Sequence, residues 1–228
     1  MARSSYIGPT QKPIAPRPPS RESTVLTRPL AHLLAVVMLL SACGGDATPD
    51  SAEQAGPPAI ATSAQDEFWA ALQGLCGQAF SGRLLESNPP DPSLEGMELV
   101  MHVRECDATT VRVPFHVGED RSRTWVISRT DDGMRLKHDH RHEDGTEDEV
   151  TQYGGDTATP GSRSRQVFAA DEHTASIVPE SASNLWTLEI RAGRSFVYAL
   201  RREGSNRRVR FEFDLTRPID EPPAPWGS

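Results

Sequence analysis

The stretch richest in reactive side chains is His138-Asp139-His140-Arg141-His142-Glu143-Asp144-Gly145. On a β-strand, side chains two apart point the same way, so His138, His140 and His142 would share one face. Adjacent imidazoles on one face can converge on a single ion, and neutral ring nitrogens suit Zn, Cu or Ni. His138, His140 and His142 are therefore candidate metal ligands, and the implied cofactor is a divalent transition metal, Zn or Cu. His102 and His116 fall on other strands and could complete such a site. Asp139, Glu143, Asp144, Glu147, Asp148 and Glu149 add negative field nearby. The blander alternative is a solvated strand end with local salt bridges. A third is acid–base chemistry by a histidine paired with a carboxylate. No nucleophile motif accompanies it: Gly-x-Ser-x-Gly, His-Glu-x-x-His and the Gly-rich phosphate loop are all absent. No catalytic residue is assigned.

The elements that would position these residues follow from periodicity. From Asp66 to Phe80 the apolar Phe68, Leu72, Leu75, Cys76 and Ala79 fall at helical spacing, with Asp66 as a cap. After this helix the chain alternates with period two. Met97, Leu99, Met101 and Val103 share one face, as do Val111, Val113, Phe115 and Val117. A strand from Arg123 to Thr130 reaches Asp131-Asp132-Gly133, a hairpin turn, and Met134 to His142 returns from it. Further strands are expected at Glu149 to Tyr153 and Ser164 to Ala169, and a helical turn from Asp171 to Val178. Tyr153-Gly154-Gly155-Asp156 reads as a turn. Three late strands run from Leu185 to Arg191, Ser195 to Arg201 and Arg207 to Leu215. Trp69, Trp125 and Trp186 each lie in an apolar pattern and are assigned to the core. Arg121, Arg123, Arg129, Arg135 and Arg141 crowd one hairpin, where cross-strand pairing with acids outweighs an anion site.

Nine or ten short strands in hairpin order make the fold class mainly β, an antiparallel up-and-down meander. Closing it into a barrel removes both sheet edges, with the N-terminal helix plugging or flanking one end. That architecture resembles the lipocalin and fatty-acid-binding group, although the first strand carries no Gly-x-Trp. A two-sheet β-sandwich fits the same pattern. The run from His138 to Glu143 also resembles the first metal motif of cupins, without a second motif to match.

Organisation along the chain is segmental. Residues 1–29 carry Pro9, Pro13, Pro16, Pro18, Pro19 and Pro29, too few apolar groups to offset their ordering entropy. Leu30 to Leu40 is an apolar run of eleven residues behind Arg28, well short of the roughly 20 needed to span a bilayer. A basic flank, a short apolar core and small residues match a secretory signal. The core ends in Leu40-Ser41-Ala42-Cys43 followed by Gly44-Gly45. Residues 28–45 resemble the lipobox of bacterial lipoproteins. That resemblance implies cleavage before Cys43, acylation of its thiol and new amine, and a membrane partner reached through the anchor. Acyl chains contribute about 0.8 kcal/mol per buried CH₂. Gly44, where inner-membrane retention would place Asp, implies the outer membrane of a host that has one. A start near Val25 would give a signal of usual proportions, so residues 1–24 are expected to be an upstream extension. The expected organisation is a signal segment at 1–42, a lipidated cysteine and flexible linker at 43–64, one β-rich domain at 65–217 and a Pro-rich tail at 218–228.

With Cys43 committed to lipid, Cys76 and Cys106 remain as a disulfide pair for an oxidising compartment. From residue 43 onward the chain carries nineteen bases against thirty-one acids. Such a balance repels phosphate backbones, so nucleic acid is not expected as a partner. Two function classes follow, with a third behind them. The first is a tethered barrel that binds a small ligand or metal ion. The second is a non-catalytic interaction or scaffold lipoprotein with a filled core, and the third is a His-dependent enzyme. A cavity beside Met101, Phe115, Leu136 and a histidine would select the first; a solid core would select the second.

Overall fold

The computed structural model describes residues 62–228. The signal segment, Cys43 and most of the linker lie outside the described residues. The described chain belongs to one compact unit, Gly56–Ser228, and the hydrophobic core of the described residues lies within it.

The first element of the described residues is helix α1 (Ala64–Gln73). Ser63 caps it: its hydroxyl accepts from the Asp66 amide, and the Asp66 carboxylate accepts from the Ser63 amide, satisfying two otherwise unpaired donors. The helix ends at Gly74, earlier than the spacing to Phe80 suggests. Gly77 then takes a left-handed φ of 79°, and the chain leaves as a strand. Phe68, Trp69 and Leu72 are buried in the barrel core. The Arg129 side chain lies over Trp69 and pairs with Asp66, and Gln65 donates to Thr157. These contacts seat α1 over one end of the barrel.

Eleven strands follow: β1 (Ala79–Asn88), β2 (Leu99–His102), β3 (Glu105–Cys106), β4 (Thr110–Val117), β5 (Asp120–Thr130), β6 (Gly133–His140), β7 (Tyr153–Thr157), β8 (Arg165–Ala170), β9 (Asn184–Arg191), β10 (Ser195–Arg202) and β11 (Arg208–Asp214). A short helix α2 (Glu172–Ile177) joins β8 to β9. Every pairing is antiparallel, from β4 through β11 in sequence order and on to β1 and β2. Pairing of β2 with β4 closes a ten-stranded barrel, and β3 is an extra two-residue strand on β4. Closure leaves no pair of opposed sheets, so the sandwich is excluded. The disulfide Cys76–Cys106 ties the turn after α1 to β3. Its 30-residue separation corresponds to about 3–4 kcal/mol of loop-closure entropy removed from the unfolded chain.

Two strands differ from the sequence expectation for clear reasons. In β1 the alternation Phe80, Gly82, Leu84 is masked twice. At Gly82 the ring of Phe213 occupies the space of a side chain, and a bulge between Leu84 and Glu86 leaves Leu85 and Glu86 both facing outward. Tyr153-Gly154-Gly155-Asp156 is no turn but most of β7, and Glu149 to Gln152 is irregular. A Cβ on Gly154 would stand 1.9 Å from the Leu136 carbonyl oxygen, and one on Gly155 1.7 Å from that of Ala169. These glycines let β6 and β8 approach β7.

The Pro-rich segment 218–228 is strapped to the barrel wall. The Ile219 amide donates to the Ala79 carbonyl, Arg104 pairs with Glu221, Arg121 donates to the Ala224 carbonyl, and the Trp226 amide donates to the Arg121 carbonyl. Among the described residues no helix is long and apolar enough to cross a membrane.

Gly155→Ala drives a methyl into rigid backbone on an adjacent strand. It is expected to cost about 1–3 kcal/mol or prevent folding, measured by urea unfolding beside Gly74→Ala, where the backbone is helical and a methyl would meet only ordinary contacts. Equal stability of the Gly155 variant and the parent would contradict the close approach of β7 and β8.

Candidate functional site

The barrel interior is built from alternate residues of each strand. Odd positions of β4 and β5, even positions of β6, β9 and β10, and odd positions of β11 point inward. They bring together Phe115, Trp125, Trp186, Phe196, Phe211 and Phe213. Trp125 stacks on Phe115 at 4.9 Å between centroids and on Tyr198 at 4.5 Å, nearly parallel in the second case. Phe211 packs against both Phe115 and Tyr198. Such contacts contribute about 0.5–1.5 kcal/mol each beyond the area they bury.

His138 enters this stack from β6. Its ring lies parallel to that of Tyr153 at 4.4 Å, and Trp186 packs at a tilt against both rings. Nδ1 is 3.0 Å from the Tyr153 carbonyl and Nε2 is 2.8 Å from the Tyr198 hydroxyl. A carbonyl only accepts, so Nδ1 carries the proton; Nε2 then accepts from Tyr198. Both ring nitrogens are thereby used by the protein. His140, one pleat further toward the opposite end from α1, is 3.1 Å through Nε2 from the Tyr153 hydroxyl. His142 lies past the end of β6 and is exposed.

His138 and His140 therefore share a strand face without sharing a point, and His142 lies off that strand. Among the described residues, no group of three or more His, Cys, Asp or Glu side chains is arranged to hold a metal ion. His138 has no free lone pair, and the geometry does not fit the Zn or Cu expectation. His102 and His116 complete nothing here. On β2 and β4 the odd residues fill the lumen, so these even-numbered histidines face outward, buried against the wall. Four of the five hairpin arginines meet acids, not all of them across a strand pair, while Arg121 donates to the Ala224 carbonyl. Arg123 meets Asp120, Arg129 meets Asp66, Arg135 meets Asp156, and Arg141 meets Asp139 and Glu147. Asp139 itself is buried on the outer face between Arg112 and Arg141. Burial raises its pKa, but the two guanidiniums outweigh that and hold it below the usual carboxylate value.

The chain matches no protein-family model, no curated protein and no solved structure. The site must be read from its own geometry.

That geometry is a satisfied one. Met101, Phe115, Leu136 and His138, the positions that would line a ligand cavity, are 0, 3, 0 and 3% exposed. Met101 and Leu136 touch no water-sized space, and Phe115 and His138 almost none. Tyr153 and Tyr198, which the sequence reading overlooked, are the partners that make a buried histidine tolerable. Tyr198 was legible in principle, as a phenol at an inward position between Phe196 and Leu200.

Burial keeps these histidines neutral. It lowers His138 to about 3, against the opposing carbonyl bond, and His116 to about 4, with Arg121 and His102 adding to the effect. His102 and His140 are lowered for the same reason. An unfolded histidine titrates near 6.5. Between that value and pH 4 the unfolded chain binds protons that the folded chain refuses, so stability falls as pH drops through this window. His138→Gln is expected to flatten the pH dependence from 6.5 to 4.5, by up to about 1.4 kcal/mol per pH unit. Urea unfolding at several pH values reads this directly. An unchanged slope would mean that His138 is not held neutral.

Proposed function

We propose that this protein is a lipid-anchored envelope protein whose barrel is a non-catalytic interaction or scaffold domain, acting through its outer surface. The observation that carries the reading is the filled lumen. Aromatic rings and His138 occupy the place where a barrel of this kind would hold a ligand, and their polar atoms are spent on each other. A small ligand or metal in the lumen would have to displace that stack. A His-dependent reaction would need His138, His140 or His142 paired with a carboxylate in a cleft; His138 is buried, and His140 is bonded to the Tyr153 hydroxyl.

Tethering is supported by the Leu40-Ser41-Ala42-Cys43 pattern behind an apolar core. The Cys76–Cys106 disulfide is consistent with an oxidising compartment outside the cytosol. An anchor of two or more acyl chains holds a domain stably at a membrane surface, where the outer wall of the barrel meets its partners.

The test expresses the full chain and a Cys43→Ser variant in a bacterium supplied with labelled palmitate, then separates membrane from soluble fractions. The expected result is label and membrane recovery for the parent, with both lost in the variant. Equal distribution of the two, without label, would remove the anchor from the reading. Saturable uptake of a fluorescent fatty acid by the unit Gly56–Ser228 would replace the scaffold reading with a ligand-binding one.

A further inference from the structure

The outer wall formed by β8 to β11 is unlike the rest of the protein. Residues 62–157 carry nine bases against nineteen acids, whereas residues 158–217 carry ten arginines against seven acids. Strand register concentrates part of that charge. Arg201 of β10 stands directly opposite Arg208 of β11, and Ala199 stands opposite Arg210. On the other flank Ala199 is opposite Thr187 of β9, and Arg165 of β8 is opposite Glu189. Short side chains at Ala199 and Thr187 therefore lie in a valley between long arginines. The result is a groove of about 170 Å³ walled by Arg165, Arg201, Arg208 and Arg210. One acid, Glu86 of β1, lines it as well, directly opposite Arg210 of β11.

Like charges placed directly across a strand pair destabilise a sheet. Elsewhere on this barrel many arginines stand near carboxylates. A larger neighbouring hollow of about 590 Å³ shows the usual arrangement: Arg83 pairs with Glu212 at 2.6 Å, and Arg191 pairs with Glu189. In the groove, Arg201 reaches only Glu203 at 3.4 Å and Arg210 only Glu189 at 4.0 Å. Arg165 and Arg208 have no carboxylate within 4.0 Å among the described residues. Guanidinium groups are suited to bidentate binding of oxyanions, phosphate above all.

We propose that the groove between β8 and β11, walled by Arg165, Arg201, Arg208 and Arg210, is a binding site for a phosphate group. The inference rests on strand register and holds whether or not Cys43 carries lipid. The site is compact and the remainder of the barrel is acidic, so it fits an isolated phosphate or a headgroup rather than a long polyanion, which the acidic wall would repel. The phosphate can come from a soluble anion or from a lipid headgroup, and the experiment separates the two.

The unit Gly56–Ser228 is titrated calorimetrically with sodium pyrophosphate at constant ionic strength. It is also sedimented with phosphatidylglycerol vesicles and with phosphatidylcholine vesicles. The parent is compared with Arg201→Gln/Arg208→Gln, with Arg165→Gln, and with Arg83→Gln as a control outside the groove. Saturable binding of pyrophosphate, weakened about tenfold or more in the groove variants and unchanged in the control, is expected. Phosphatidylglycerol sedimentation lost in the same variants would assign the phosphate to a headgroup; pyrophosphate binding without sedimentation would assign it to a soluble anion. Without phosphate, the double variant should melt no lower than the parent, because it relieves a like-charge pair. No saturable binding to either probe, or equal binding by parent and groove variants, would overturn the site. If the double variant fails to fold, the like-charge strain is refuted and Arg165→Gln still decides the binding.

Discussion

Ten strands closed on themselves leave a lumen that must be filled. Eight enclose just enough room for ordinary side chains, and the diameter grows with strand number. This chain meets that constraint with rings: Phe115, Trp125, Tyr198, Phe211 and Phe213 stack across the barrel, and His138, Tyr153 and Trp186 continue the packing toward the end opposite α1. Rings that carry polar atoms bring a second requirement, since a buried donor or acceptor left alone costs about 1–3 kcal/mol. The Tyr153 carbonyl and the Tyr198 hydroxyl answer it by using both nitrogens of His138. The same bonds that stabilise the core remove the imidazole from metal and substrate chemistry.

With the inside occupied, recognition falls to the wall. That wall is divided. On β4 to β6, arginines and acids alternate and pair, Asp139 is clamped between Arg112 and Arg141, and the C-terminal strap covers part of the face. On β8 to β11 the arginines exceed their partners, and the Arg201–Arg208 opposition is left standing. A tethered domain with a closed core and a polarised surface can engage partners without opening.

Much of the fold was legible because the inward residues alternate cleanly. Val111 to Val117 and Val209 to Leu215 show their faces in sequence, and Asp131-Asp132-Gly133 marks its hairpin. Legibility failed where backbone contacts decide. Gly154 and Gly155 look like a turn until the carbonyls of Leu136 and Ala169 are seen pressing on β7. The histidine cluster was visible, and its shared face was real for His138 and His140, but its meaning depended on residues distant in sequence. Tyr198 lies sixty positions from His138, and no local pattern reveals that their side chains meet. His102 and His116 were misread because facing is set by strand parity, which on β2 and β4 sends them outward.

The imidazole of His138 offers the most direct measurement. Long-range ¹⁵N–¹H NMR spectra of the unit Gly56–Ser228 report which ring nitrogen carries the proton, and they would be recorded from pH 7 to 5 with and without Zn²⁺. A neutral ring protonated at Nδ1, unchanged across that range and untouched by zinc, is the result expected of a filled, self-satisfied core. A ring that protonates near pH 6, or whose Nε2 resonance shifts stoichiometrically with zinc, would show the lumen open and restore the histidines as a site.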